Sequence, residues 1–190
     1  TNIDNDHLDY FKDENDIKNA FQEFVDKTSN TLIVHKAEDF LNAPENVEKL
    51  ICDDFSNESD IELSVPGQHN RKNAQLVVAL GEYLKLDRQK VLEGLKNFKG
   101  TWRRQEYKGN FFGADFYDDY GHHPTEVKAT LAAFREKFAD KKIVAVFQPH
   151  LFSRTKLLFN DFVNSFSDAD EVVILPIYQA REKFDETISS

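Results

Sequence analysis

Residues 118–127 read DDYGHHPTEV, placing two carboxylates, a phenol, a glycine and two adjacent imidazoles just ahead of a helical pattern. A helix start presents unpaired N–H groups and a partial positive charge, which suits an anionic ligand. The stretch therefore reads as an elaborate cap or as a phosphate-facing site. As a site, Asp118 and Asp119 could hold a ribose hydroxyl or a metal, and Tyr120 and His122 could reach a phosphate or a substrate. As a cap, Asp118 ends a strand, His123 neighbours the cap and Glu126 complements the helix dipole. Adjacent histidines are rarely needed for capping, and this favours the site.

QPHLFSR, residues 148–154, repeats the arrangement one strand later, with His150 and Arg154 four residues apart. They share a face if a helix has begun, and the planar fork of Arg154 can grip a carboxylate or phosphate. HNRKN sets His69, Asn70 and Asn73 at another helix start. Asn amides match an adenine edge, although such residues more often cap helices. DNDHLD offers Asp4, Asp6, His7 and Asp9, a set compatible with a divalent cation; Mg²⁺ takes few protein ligands and keeps its waters. Arg103-Arg104 reads equally well as a solvated basic pair. Neither GxxxxGK[ST] nor GxGxxG occurs.

The elements that must position these groups follow from periodicity. Residues 13–26 repeat Ile17, Ala20, Phe21, Phe24 and Val25 at helical spacing, and TLIVH (31–35) is a short β-branched strand. Residues 36–57 read as helical through Val47, Leu50 and Ile51, and 61–65 alternates as a strand. Pro66-Gly67 marks a turn before a helix that His69 or Asn70 can cap, with Ala74, Val77, Val78 and Leu80 to Leu84 on its apolar face. A second helix covers 87–97, and a boundary falls near Gly100. Beyond it, FFGADFYDD, a helix over 124–138, KKIVAVFQPH, a helix over 153–165 and EVVILPIY alternate strand and helix, as in a parallel sheet with covering helices. Ligands gather at the carboxyl edge of such sheets, where both DDYGHH and QPHLFSR fall.

Composition narrows the function classes. With 40% apolar residues and 17 Phe among 190 residues, the chain can build a real core. A net charge of −10 opposes nonspecific nucleic-acid binding. The single Cys52 excludes an internal disulfide and a multi-thiolate zinc site, and fits a reducing compartment. No apolar run approaches the roughly 20 residues that span a bilayer, and no signal peptide is visible, so the expected setting is cytoplasmic. Thr-Asn-Ile resembles the end of a strand, and the chain is expected to begin inside a larger protein.

Taken in order, TNIDNDHLDYF, VPGQHNRKNA, the Arg pair, DDYGHHPTEV and FQPHLFSRT resemble the Mur ligases. The resemblance implies an α/β fold: residues 1–100 as the later part of a central ATPase domain, and 101–190 as a Rossmann-like, mostly parallel-sheet C-terminal domain cut short at its end. It implies ATP-dependent amide formation with Mg²⁺, in which the carboxylate of UDP-N-acetylmuramate becomes an acyl phosphate and L-alanine attacks it. His7 then resembles the Mg²⁺ ligand, and His69, Asn70 and Asn73 the adenine and ribose contacts. Arg104 or Arg103 resembles the arginine that meets the nucleotide, and Asp119 the ribose-side acid. Tyr120, His122, His150 and Arg154 resemble groups facing the sugar carboxylate and incoming alanine, with the two histidines and Arg154 as the catalytic set.

Two departures stand out. Leu151 takes the place of a basic residue usual after FQPH, and the stretch between His7 and His69 is shorter than usual. Three rival readings remain: a ligase that recycles murein tripeptide, against which Tyr120-Gly121 argues; a noncatalytic module of the same fold; and, most distant, a metal-dependent hydrolase.

Overall fold

The structure, a computed structural model, describes residues 2–7 and 10–189. Two compact units emerge: Thr1–Ser64 with Gln68–Phe98, and Val65–Gly67 with Lys99–Ser190.

In the first unit, helix α1 (Glu14–Val25) begins at Asp13, whose side chain accepts the Asp16 N–H at 3.0 Å, satisfying one donor that the helix start leaves orphaned. Val25 packs with Val34 and Leu41, while Phe24 points outward. Strands β1 (Thr31–Val34) and β2 (Glu48–Ile51) pair in parallel, with Val34 opposite Ile51. This corrects the helix expected over 36–57. Val47, Leu50 and Ile51 fit helical spacing by coincidence, and Pro44, whose carbonyl accepts the Val47 N–H at 2.8 Å, turns the chain into β2.

The strand expected over 61–65 is absent too. Ile61 is instead buried with Ala74 and Val78 of helix α2 (Gln68–Tyr83), against Val91, Leu92 and Leu95 of helix α3 (Arg88–Asn97). Val77 and Leu80, expected on the apolar face of α2, are exposed. Asp87 caps α3 by accepting the Gln89 and Lys90 N–H groups at 2.9 and 3.2 Å.

The second unit opens with an antiparallel hairpin, β3 (Glu106–Phe111) and β4 (Ala114–Asp118). Phe112 (φ 53°) and Gly113 (φ 83°) form its turn, and positive φ at both central residues matches the twist of the flanking strands. Helix α4 (Pro124–Lys137) follows, then β5 (Val144–Phe147), α5 (Phe152–Leu157), α6 (Phe159–Val163) and β6 (Glu171–Ile174). β5 and β6 pair in parallel, but β4 pairs with β3 and not with β5. The expected three-strand parallel array is therefore a hairpin plus a parallel pair, because the run across 106–118 folds back on itself at Gly113. The fold class is mixed α/β with parallel pairing. Val127, Leu131, Phe152 and Phe162 are buried, and Phe147 stands 5.5 Å from both Phe162 and Phe166. No helix among the described residues is long and apolar enough to cross a membrane.

Candidate functional site

Between β4 and α4 the chain is held by two carboxylates. Asp119 accepts the Gln105 N–H at 2.9 Å through one oxygen and the Gly121 N–H at 2.7 Å through the other. Glu126 accepts the His122 and His123 N–H groups at 2.9 and 3.2 Å, and His123 Nδ1 accepts the Thr125 N–H at 3.3 Å. The reciprocal pair is a capping box with Pro124 in the first turn. His123 therefore caps α4 directly, which corrects the expectation that an adjacent histidine is superfluous there. Burial pushes the Glu126 carboxyl up, but the His122 N–H and the charges of His122 and Arg104 outweigh it, leaving its pKa below the ordinary value.

With the cap assigned to His123, His122 is released for other work. Its Nδ1 stands 3.0 Å from the Tyr120 carbonyl. A carbonyl only accepts, so Nδ1 carries the hydrogen and Nε2 of the neutral ring keeps its lone pair. The Tyr120 ring meets His122 edge-on at 5.2 Å and lies under Arg103 at 4.8 Å and Arg104 at 5.7 Å. Arg103 also faces Asp118 at 3.4 Å, and Arg104 faces Glu126 at 3.2 Å.

The QPHLFSR cluster lies within electrostatic reach of the first. His150 is held below its ordinary pKa by burial first, then by the charges of Arg154 and His122. Its ring stacks on Tyr178 at 5.6 Å, and a backbone bridge joins the two residues. Arg154 Nη1 lies 3.5 Å from His150 Nδ1. Arg154 heads no long helix: α5 starts after Leu151, which is buried with φ 71° and ψ 133°, a region sparsely used by residues with a Cβ. Tyr120, His122, His150 and Arg154 thus belong to one unit, and the charge of His122 is felt at His150.

The other expected residues sit elsewhere. α2 begins at Gln68, so His69 and Asn70 stand inside its first turn and do not precede it as caps; Asn73 follows one turn on and shares their face. His7 adopts φ 55°, and its exposed imidazole lies 3.7 Å from Asp6. That pairing of one imidazole with one carboxylate fits a Mg²⁺ that keeps most of its waters. Asp9 lies outside the described residues. Among those described, the one cluster of three metal-ligating groups is His35, Cys52 and Asp53. Burial, reinforced by Asp53, pushes the Cys52 thiol up to about 12.

Two residues in the second cluster escaped the sequence reading. Glu182 accepts the Ser153 N–H at 3.1 Å and the Ser153 hydroxyl, fixing the start of α5 beside Arg154. Tyr178 backs His150. Glu182 is separated from Ser153 by 29 positions, so no local spacing pointed to it; Tyr178 ended an expected strand and was findable there.

Residues 103–189 match the family described as Mur ligase, glutamate ligase domain. The UDP-N-acetylmuramate–L-alanine ligase of Clostridium acetobutylicum is 42% identical, over 100% of this chain and 48% of its own length. That of Caldicellulosiruptor bescii is 39% identical over 96% and 47%. The chain thus spans about half the length of the curated relatives it matches. The crystal structure of the UDP-N-acetylmuramate–alanine ligase of Thermotoga maritima superposes with a TM-score of 0.54 at 37% identity, covering 63% of this chain and 26% of that one. A murein peptide ligase from Psychrobacter arcticus shares the fold, with a TM-score of 0.55 at 18% identity, over 84% of this chain and 46% of its own.

Proposed function

The chain belongs to the Mur ligase family, and on that premise we propose that it is part of an ATP-dependent ligase joining L-alanine to UDP-N-acetylmuramate in peptidoglycan precursor synthesis. The first unit is the later part of the central ATP-binding domain, and the second is most of the C-terminal domain. The observation that carries the reading is that the two histidines present opposite tautomers, His150 against Arg154 and His122 against the Tyr120 carbonyl. His122 Nε2 is left as a proton acceptor, and His150 Nε2, opposite the nitrogen that meets Arg154, as a donor.

The reaction has two balanced steps. A carboxylate oxygen of the muramate attacks the γ-phosphorus of ATP and ADP leaves; then the alanine amine attacks the acyl carbon, loses a proton, and phosphate leaves. His7 would hold a Mg²⁺ on the protein side, and such an ion would neutralise phosphate charge. By the family resemblance, His69, Asn70 and Asn73 of the first unit would serve adenine and ribose; of the second unit, Asp119 would serve a ribose hydroxyl and Arg103 or Arg104 the nucleotide. Tyr120 and Arg154 orient the substrate carboxylates, His122 takes up the amine proton, and His150 donates to oxygen. Such positioning is worth several orders of magnitude in rate. Soluble nucleotide substrates place the reaction in the cytoplasm.

The test is amide formation by the complete protein from UDP-N-acetylmuramate, ATP and each candidate amino acid or peptide. The expected result is a muramoyl-alanine product with stoichiometric ADP and phosphate. Preference for a murein tripeptide would overturn the alanine assignment, and no product with any acceptor would leave a noncatalytic module of this fold.

A further inference from the structure

β1 and β2 run parallel with Val34 opposite Ile51, so His35 and Cys52 leave the paired strands side by side at their carboxyl edge. Each strand passes directly into a short 3₁₀ turn, Lys36–Glu38 and Cys52–Asp54, and the second brings Asp53 to the same point. His35 Nδ1 lies 2.9 Å from Cys52 Sγ and 3.5 Å from Asp53 Oδ2, and Sγ lies 3.6 Å from that oxygen. Cys52 is fully buried and His35 is 8% exposed. We infer that His35, Cys52 and Asp53 form a site for a borderline-soft divalent metal ion, best met by Zn²⁺, separate from the ligase chemistry.

Bond lengths support the assignment. A tetrahedral Zn²⁺ bound to one N, one S and one O sets those atoms about 3.3–3.6 Å apart. The two edges that involve Asp53 already have that length. The short third edge is a sulfur–imidazole hydrogen bond, the thiol itself donating to Asp53, and it opens when a metal replaces the proton. Charge agrees as well: one thiolate and one carboxylate neutralise a divalent ion, with the imidazole neutral. The thiolate discriminates against Mg²⁺, a hard ion that disfavours sulfur ligands.

The surroundings are those of a built site. The Lys36 N–H donates to Asp53 Oδ2 at 2.8 Å, fixing the carboxylate toward the cluster. His35 Nε2 and Glu38 Oε2 are buried without a protein hydrogen-bond partner, and the Glu38 charge is felt at Cys52.

Co²⁺ titration of the purified chain tests the assignment, because thiolate-to-cobalt charge transfer absorbs where the protein does not. Cys52 is the sole cysteine, so the band reports this site alone. The band is expected to saturate at one equivalent, with one proton released from the thiol per metal, and to vanish when Zn²⁺ displaces cobalt. His35→Gln should weaken binding at least tenfold, and Asp53→Asn less. Absence of the band, a band that needs large cobalt excess, or unchanged affinity in His35→Gln would each overturn the assignment.

Discussion

Arg154 Nη1 lies 3.5 Å from His150 Nδ1, at the outer limit of a hydrogen bond. A guanidinium only donates, so Nδ1 accepts and the hydrogen of the neutral His150 ring resides on Nε2. Burial, Arg154 and His122 all disfavour the imidazolium. His150 should therefore titrate below the usual value of about 6.5, and Arg154→Ala should raise its midpoint. The linkage sign follows: an unfolded His150 takes up a proton where the folded one does not. The stability this site contributes is fully present above about 6.5 and is lost as pH falls through that value toward the folded pKa. NMR titration of the ring checks it; an unchanged midpoint in Arg154→Ala would remove Arg154 as a cause.

Arg154 itself should not tolerate lysine in the complete enzyme. Lysine keeps the charge but loses the planar fork that grips a carboxylate. Arg154→Lys is expected to lower kcat/KM for the amino acid by on the order of ten- to a hundredfold, or about 1.4–2.8 kcal/mol of transition-state stabilisation. ATP dependence should stay near that of the parent. Steady-state kinetics with each substrate varied in turn separates the two effects.

Glu126 closes the α4 capping box and also meets Arg104. Glu126→Ala orphans the His122 and His123 N–H groups, and a loss of about 0.5–2 kcal/mol is expected from urea unfolding. Its carboxyl pKa is lowered on balance. The stability it contributes is therefore present above the unfolded value of about 4.3 and disappears as pH falls through the lower folded value. A parent and variant that converge in stability at low pH would bear this out, whereas a constant gap would point to packing.

Which parts of this were legible in sequence depended on how local the cause was. Asp13, Asp87 and Pro124 each announce a helix through chemistry confined to one turn, and α1, α3 and α4 start where they indicate. Strand β2 was misread because Val47, Leu50 and Ile51 satisfy helical spacing, while its true determinant is pairing with β1, which no local window contains. The hairpin at Phe112-Gly113 was missed for a related reason: EYKGN is too polar to announce a strand until β4 pairs with it. The motif residues around His122 and His150 were visible as clusters of titratable groups at strand ends. The buttresses behind them, Glu182 and Tyr178, come from a segment distant in sequence, and their roles arise only from contact.

The Gln105 side chain is a liability unless something uses it. Both amide atoms are buried without a protein partner, at a residue with φ 50° beside the Asp119 loop. An unpartnered buried amide costs about 1–3 kcal/mol. Gln105→Leu, similar in volume and apolar, should therefore leave thermal stability unchanged or raise it. A fall of more than about 1 kcal/mol would mean that the amide is satisfied in solution.

Gly121 is required by the carboxylate of Asp119, not by its own backbone angles. A Cβ placed on Gly121 would stand 2.9 Å from Asp119 Oδ1, the same oxygen that accepts the Gly121 N–H at 2.7 Å, and its φ lies outside the left-handed range. Gly121→Ala must then push the carboxylate off both Gly121 and Gln105, at a cost of about 1–3 kcal/mol. If the clash is the cause, removing the carboxylate relieves it. In an Asp119→Ala background the same glycine change should cost only a few tenths of a kcal/mol, a non-additivity that a double-mutant cycle measures directly. Equal costs in the two backgrounds would free Asp119 from its part in shaping the loop.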